Sequence, residues 1–145
     1  MTRTLLVAFE ESPEGEAAFH RALRIAQRDG GALHVVSVVQ TIEIETNIAH
    51  DAEETRREHE LEPLLAQAAK LGISVTTQVP DGPAAAAIAE IARAKGASLI
   101  VIGHRHRGML ARLAASSVAK QVLDHTPCDV LVVTLVEGQS TSDSA

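Results

Sequence analysis

Ser98-Leu-Ile-Val-Ile-Gly-His-Arg-His-Arg-Gly108 sets a short β-branched run against a glycine and then a cluster of basic side chains. A run this short and this apolar reads as a strand covered on both faces, the kind found in parallel sheets with helices on either side. A strand that stops at Gly103 and hands over to positive charge is also a common way to build an anion site. The 145-residue chain carries a formal net charge of −6, yet Arg105, Arg107 and Arg112 gather in one loop beside His104 and His106. Positive charge is concentrated there against the overall composition.

Working outward, four further runs share this character: Leu5 to Phe9, Leu33 to Val39, Ile73 to Val79 and Val130 to Leu135. With Leu99 to Ile102 they make five predicted strands, and helical patterns fill the intervals. The first helix opens at Ser12-Pro13, a cap followed by a proline in the first turn, and runs to Arg28 before Asp29-Gly30-Gly31. Its apolar stripe is Ala18, Ala22, Ile25 and Ala26. The second spans about Ala49 to Lys70, with a solvated first half of mixed charge and an apolar second half. The third, from Pro83 to Lys95, is alanine-rich, which gives high helix propensity and allows close approach to a sheet. The fourth starts near Ser116 or Ser117 and passes Val118, Val122 and Leu123 to His125, where Pro127 forbids more.

Alternating strands and helices predict an α/β fold, a three-layer doubly wound domain with a five-stranded parallel sheet of order 3-2-1-4-5 and four helices. In such sheets ligands bind beyond the carboxyl ends of the strands, where the winding direction reverses. With strand one central and strand four beside it, the loop Phe9-Glu10-Glu11-Ser12 is expected to face Gly103 to Gly108, acid against base across one crevice.

Length and composition bound the rest. One domain is expected over residues 1–136, and the small polar residues 137–145 read as a disordered tail. Phe9 and Phe19 are the only aromatics, which disfavours nucleic-acid readers that stack bases on rings. The amino terminus lacks the features of a secretory signal and no apolar run nears ~18 residues. A soluble, cytoplasmic protein with no membrane partner is expected. The lone Cys128 reads as a small buried hydrophobe. His104 and His106 have no cysteine nearby and the other five histidines lie on separate elements, so no metal site is expected. There is no Gly-x-Ser-x-Gly elbow, no cysteine paired with a base and no Walker lysine after a glycine-rich loop, so the reading is not an enzyme.

Four stretches together resemble the universal stress protein family over residues 3 to 136. They are Leu5-Leu-Val-Ala followed by an acidic residue and Ser12-Pro13, then Ala97-Ser-Leu-Ile-Val-Ile-Gly103, Ser117-Val-Ala-Lys-Gln-Val-Leu123 and Pro127-Cys-Asp-Val-Leu-Val-Val133. Nucleotide-binding members of that family carry a glycine, two residues, a glycine, nine residues, then glycine and Ser or Thr. The matching positions here are Gly103, His106, Ser116 and Ser117, so two of three glycines are replaced. Glycine lets backbone N–H groups come close to phosphate, and a side chain obstructs that approach. The family's first-strand aspartate is Glu10 here, and Val38 matches a position whose backbone contacts adenine. The resemblance implies a non-catalytic stress-response module with weak or absent ATP binding, and, as the alternative, an ATP or AMP sensor of the same fold. The candidate nucleotide contacts are Ala8, Phe9, Glu10, Val38, Gly103, Arg105, His106, Gly108, Ser116 and Ser117. It also implies a homodimer through the last strand, Val130, Leu131, Val132, Val133, Thr134 and Leu135, beside a protein partner of unknown identity.

Blander roles stand beside these. Ser116 and Ser117 also suit a helix cap, and the arginine cluster also suits a solvated loop balancing acidic neighbours. A receiver-type phosphoacceptor domain is suggested by Glu10-Glu11 after the first strand and Asp81 after the third. Thr134 and Leu135 stand where its lysine would follow the fifth strand, and the second helix is too long. An adenylate-transferring enzyme on a related sheet lacks a catalytic motif.

Overall fold

The computed structural model describes residues 3–39, 47–104 and 122–135. Its elements follow in the order β1 (Thr4–Ala8), α1 (Pro13–Asp29), β2 (Ala32–Val36), α2 (Asn47–Lys70), β3 (Val75–Gln78), α3 (Ala84–Lys95), β4 (Leu99–His104) and β5 (Asp129–Thr134). Residues 122–125 are helical and lead into β5. The start expected for that fourth helix, Ser116 or Ser117, and the tail 137–145 lie outside the described residues. All strand pairs are parallel, and the sheet order is β3-β2-β1-β4-β5.

Alternation along the strands sorts the core into two layers. Leu5, Val7, Leu33, Val35, Val101 and Val133 face α1 and α2, where Phe19, Ala22, Leu61 and Leu64 meet them. Leu6, Val36, Ile100 and Ile102 face α3, where Ile88 and Ala92 pack, together with Val122. The domain is therefore three layers deep. Burial of each large apolar side chain contributes about 1.5–3 kcal/mol, and with no Trp or Tyr the aliphatic residues carry nearly all of it. Phe19 is the largest fully buried side chain.

Several boundaries differ from the sequence reading, each for a tertiary reason. Phe9 lies beyond β1, whose pairing with both β2 and β4 ends at Ala8, although its N–H still donates to the Val36 carbonyl at 2.9 Å. β2 ends at Val36, although Ser37 N–H still reaches the Gln78 carbonyl and Val39 N–H the Pro80 carbonyl. β3 is shorter than Ile73 to Val79 and is not covered on both faces: Thr76, Thr77 and Gln78 are exposed on the sheet edge. β4 does not stop at Gly103, since Gly103 pairs with Val133 and His104 with Thr134. α2 continues through Pro63. Buried Leu61 and Leu64 flank that proline, so packing on the sheet holds a helix that local propensity would break. Cys128 is half-buried rather than buried, and its N–H donates to Thr126 Oγ1 at 3.2 Å.

Candidate functional site

The sheet opens where β1 and β4 part. They are paired from Leu5 and Leu99 to Ala8 and Ile102. Past that point Phe9 bonds toward β2 while β4 continues alongside β5. The chain winds in one direction through α1 and α2 on one face and in the other through α3 on the opposite face. Their meeting point is the reversal at which open α/β sheets bind ligands.

The first turn of α1 closes one wall of this crevice. Ser12, with extended backbone, caps the helix by accepting the Gly15 N–H on its Oγ at 3.0 Å, and Pro13 fits the first turn because it needs no N–H there. The Ser12 hydroxyl also points at Glu10 Oε1, 3.5 Å away. Glu14 and Glu16 place negative charge where the helix dipole favours it. Glu14 nevertheless has only 1% of its surface exposed.

Two glycines let this turn sit as close as it does. A Cβ on Gly15 would overlap the Glu10 carbonyl oxygen and lie 3.1 Å from its carbon. A Cβ on Gly103 would overlap the Glu14 carbonyl oxygen, 2.6 Å from the carbonyl carbon and 3.1 Å from Glu14 Cβ. Gly103 has no positive φ. Its small size is used by α1, and no left-handed turn begins there.

On the other side, α2 is tied to the end of β2. Arg57 donates through Nε to Glu53 at 2.8 Å and through a terminal nitrogen to Ser37 Oγ at 3.2 Å. Arg56 makes two bonds to Glu53, at 3.0 and 2.6 Å, and one to Glu60 at 2.7 Å. The bond from Arg56 holds the Glu53 carboxyl below the ordinary carboxylate range, and the same contact raises the guanidinium. Glu11, Arg56, His59 and Glu60 line an open groove between the β1–α1 loop and α2. At the start of α2, His50 meets Asp81, and that hydrogen bond raises the imidazole above its usual value.

Ala8, Phe9, Glu10 and Gly103 thus come together at the ends of β1 and β4, and buried Val38 lies past the end of β2 next to β1. Arg105, His106, Gly108, Ser116 and Ser117 lie outside the described residues, as do Arg107 and Arg112. Two features escaped sequence reasoning. Glu14 reads as one more acidic residue in a first turn, yet it is buried where that turn lies against Gly103. His50 and Asp81 are separated by 31 positions and share no motif.

Comparison with known proteins agrees with this architecture. The model of the universal stress protein family matches residues 1–134. A putative universal stress protein of Staphylococcus epidermidis is 33% identical over 138 residues, covering 90% of this chain and 83% of the relative. A universal stress protein family structure from Burkholderia pseudomallei superposes with a TM-score of 0.73 at 27% identity, covering 90% of this chain and 94% of the other. A universal stress protein solved in complex with cAMP has a TM-score of 0.73 at 21% identity, with 90% and 96% covered.

Proposed function

The chain belongs to the universal stress protein family, and from that premise we propose that it is a non-catalytic, cytoplasmic stress-response module with ATP binding weak or absent. The observation that carries this reading is the setting of Gly103. A phosphate cradle needs backbone that a ligand can approach, and at this glycine the space is taken by the Glu14 backbone while the strand continues to His104. The two other glycine positions of the family motif hold His106 and Ser116. A crevice with these residues favours a small polar ligand or a protein segment over a tightly held triphosphate. No helix among the described residues is long and apolar enough to cross a membrane.

The second reading is an ATP or AMP sensor, favoured by the relative solved with cAMP. Its contacts would be Ala8, Phe9, Glu10, Val38 and Gly103, with Arg105, His106, Gly108, Ser116 and Ser117 completing the set. A homodimer is part of the proposal. β5 is a sheet edge whose Val130, Leu131 and Val132 are half-buried, and Leu123 in the segment leading into it is exposed. An apolar edge of this kind is suited to pairing with its own copy. Val133 is buried toward α1 and serves the core, which leaves Val130 to Val132, Thr134 and Leu135 for a partner.

Calorimetry with ATP and AMP in the presence of Mg²⁺, with a parallel assay for nucleotide released on denaturation, tests the reading. No saturable heat and no released nucleotide are expected. Micromolar binding would overturn it in favour of the sensor.

A further inference from the structure

A group of metal-ligating atoms lies at the β2–β3 side of the same sheet edge. His50 stands in the first turns of α2, and its Nε2 hydrogen-bonds Asp81 Oδ1. Asp81 belongs to another part of the chain: its backbone is bridged to Val39, and the next N–H, of Gly82, donates to the Val39 carbonyl at 3.1 Å. The sheet therefore fixes this carboxylate independently of α2. The other ring nitrogen, Nδ1, faces Asp51 Oδ1 at 3.8 Å and Glu54 Oε2 at 3.9 Å, and it offers a lone pair when the ring is neutral with its N–H on Nε2. The three ligand atoms lie within 4.8 Å of one another.

On the same helix Glu53 and Glu60 are paired with Arg56 and Arg57. Among the described residues, the only basic partner of Asp51, Glu54 and Asp81 is His50 itself. Asp51, Glu54 and Asp81 thus converge on one imidazole.

We infer that His50, Asp51 and Glu54 form a binding site for a divalent cation of the zinc class, with Asp81 as the outer carboxylate that orients His50. An imidazole with two carboxylates suits zinc and its neighbours, whereas Mg²⁺ and Ca²⁺ favour all-oxygen sets. Bonds of about 2.0–2.1 Å place tetrahedral ligand atoms roughly 3.3–3.4 Å apart. The carboxylates must close on Nδ1 by about half an ångström and on each other by up to about 1.4 Å, a movement that exposed side chains on one helical turn make by rotamer adjustment. A carboxylate on the far ring nitrogen is the usual support of a metal-bound histidine, fixing its tautomer and raising its basicity. Three protein ligands leave a fourth position for water or an exogenous donor. The site uses no residue assigned to nucleotide binding and stands whether or not nucleotide binds.

Zinc binding to the full chain, stripped with a chelator and titrated by calorimetry, tests the inference, with Co²⁺ absorption reporting coordination geometry. One Zn²⁺ per chain at micromolar or tighter affinity is expected, with Mg²⁺ failing to compete. His50→Ala, and separately the pair Asp51→Asn and Glu54→Gln, should abolish the site, while Asp81→Asn should weaken it by about 10–100-fold with stoichiometry kept. His59→Ala, an exposed imidazole on the same helix, should leave the affinity unchanged. Circular dichroism establishes that each variant is folded. Absence of binding at millimolar Zn²⁺, unchanged affinity in folded His50→Ala, or loss of binding in His59→Ala would overturn the assignment.

Discussion

Replacing Gly103 with alanine separates two uses of a glycine, as a packing surface and as a ligand surface. The backbone at Gly103 has no positive φ, so alanine is conformationally allowed. In open space the change would stabilise the fold by about 0.4–1 kcal/mol, because alanine narrows the unfolded ensemble. The added Cβ, however, lies 2.6 Å from the Glu14 carbonyl carbon, where ordinary contact begins at 3.4 Å, so the first turn of α1 must retreat by about 1 Å. That turn is held by the Ser12 cap and by Gly15 lying against the Glu10 carbonyl. Overpacking costs about 1–3 kcal/mol, and the obstacle here is backbone with little freedom to yield, which puts the cost near the upper end. Net destabilisation of about 2 kcal/mol follows after the unfolded-state gain. With a urea m-value of about 2 kcal/mol/M, the unfolding midpoint should fall by about 1 M. Far-UV circular dichroism is the probe, because the chain has no Trp or Tyr. A midpoint unchanged or raised would refute the packing role. Retained stability with loss of nucleotide binding would show instead that the glycine serves a ligand.

Pro63→Ala should stabilise the protein by about 1–3 kcal/mol, because the residue is exposed inside α2 and alanine restores the missing helical N–H; a lowered thermal midpoint would contradict this. His34 gives the fold a pH dependence of known sign. It is buried on β2, with Thr76 Oγ1 at 2.6 Å from Nδ1 and Gln78 Oε1 at 3.0 Å from Nε2. Burial pushes its pKa below 6.5, assisted by Lys95 and opposed by the Gln78 bond. The unfolded chain therefore takes up its proton first as pH falls, and the His34 contribution, complete above about pH 6.5, is lost on the way down through the folded pKa. Because His50, with its raised pKa, acts with the opposite sign over the same range, the His34 part is read by difference: between pH 7 and pH 5 His34→Gln should lose less midpoint in urea than the parent protein, and equal pH profiles would remove His34 as a source.

Local chemistry made much of this molecule legible in the sequence. The β-branched runs around Leu5, Leu33, Leu99 and Val130 became β1, β2, β4 and β5, and Ser12-Pro13 became the cap and first turn of α1. Strand ends were less legible, because they depend on which neighbour continues. β4 gains Gly103 and His104 only because β5 extends beside them, and Phe9 falls outside β1 because pairing with both β2 and β4 ends at Ala8. Of the candidate site, the meeting of Ala8, Phe9, Glu10 and Gly103 followed from topology. The burial of Glu14 did not, since an acidic residue in a first turn ordinarily faces water.

The sequence by itself determined the fold class, the sheet order and the family, because alternating apolar runs, caps and glycines act over a few residues and each admits few alternatives. Only the tertiary structure decided what Gly103 is for and which groups stand around His50. The first depends on how closely α1 lies on β4, and the second on the β3–α3 connection bringing Asp81 to the first turns of α2. Both are contacts between segments far apart in the chain, and no local pattern of residues encodes the distance between them.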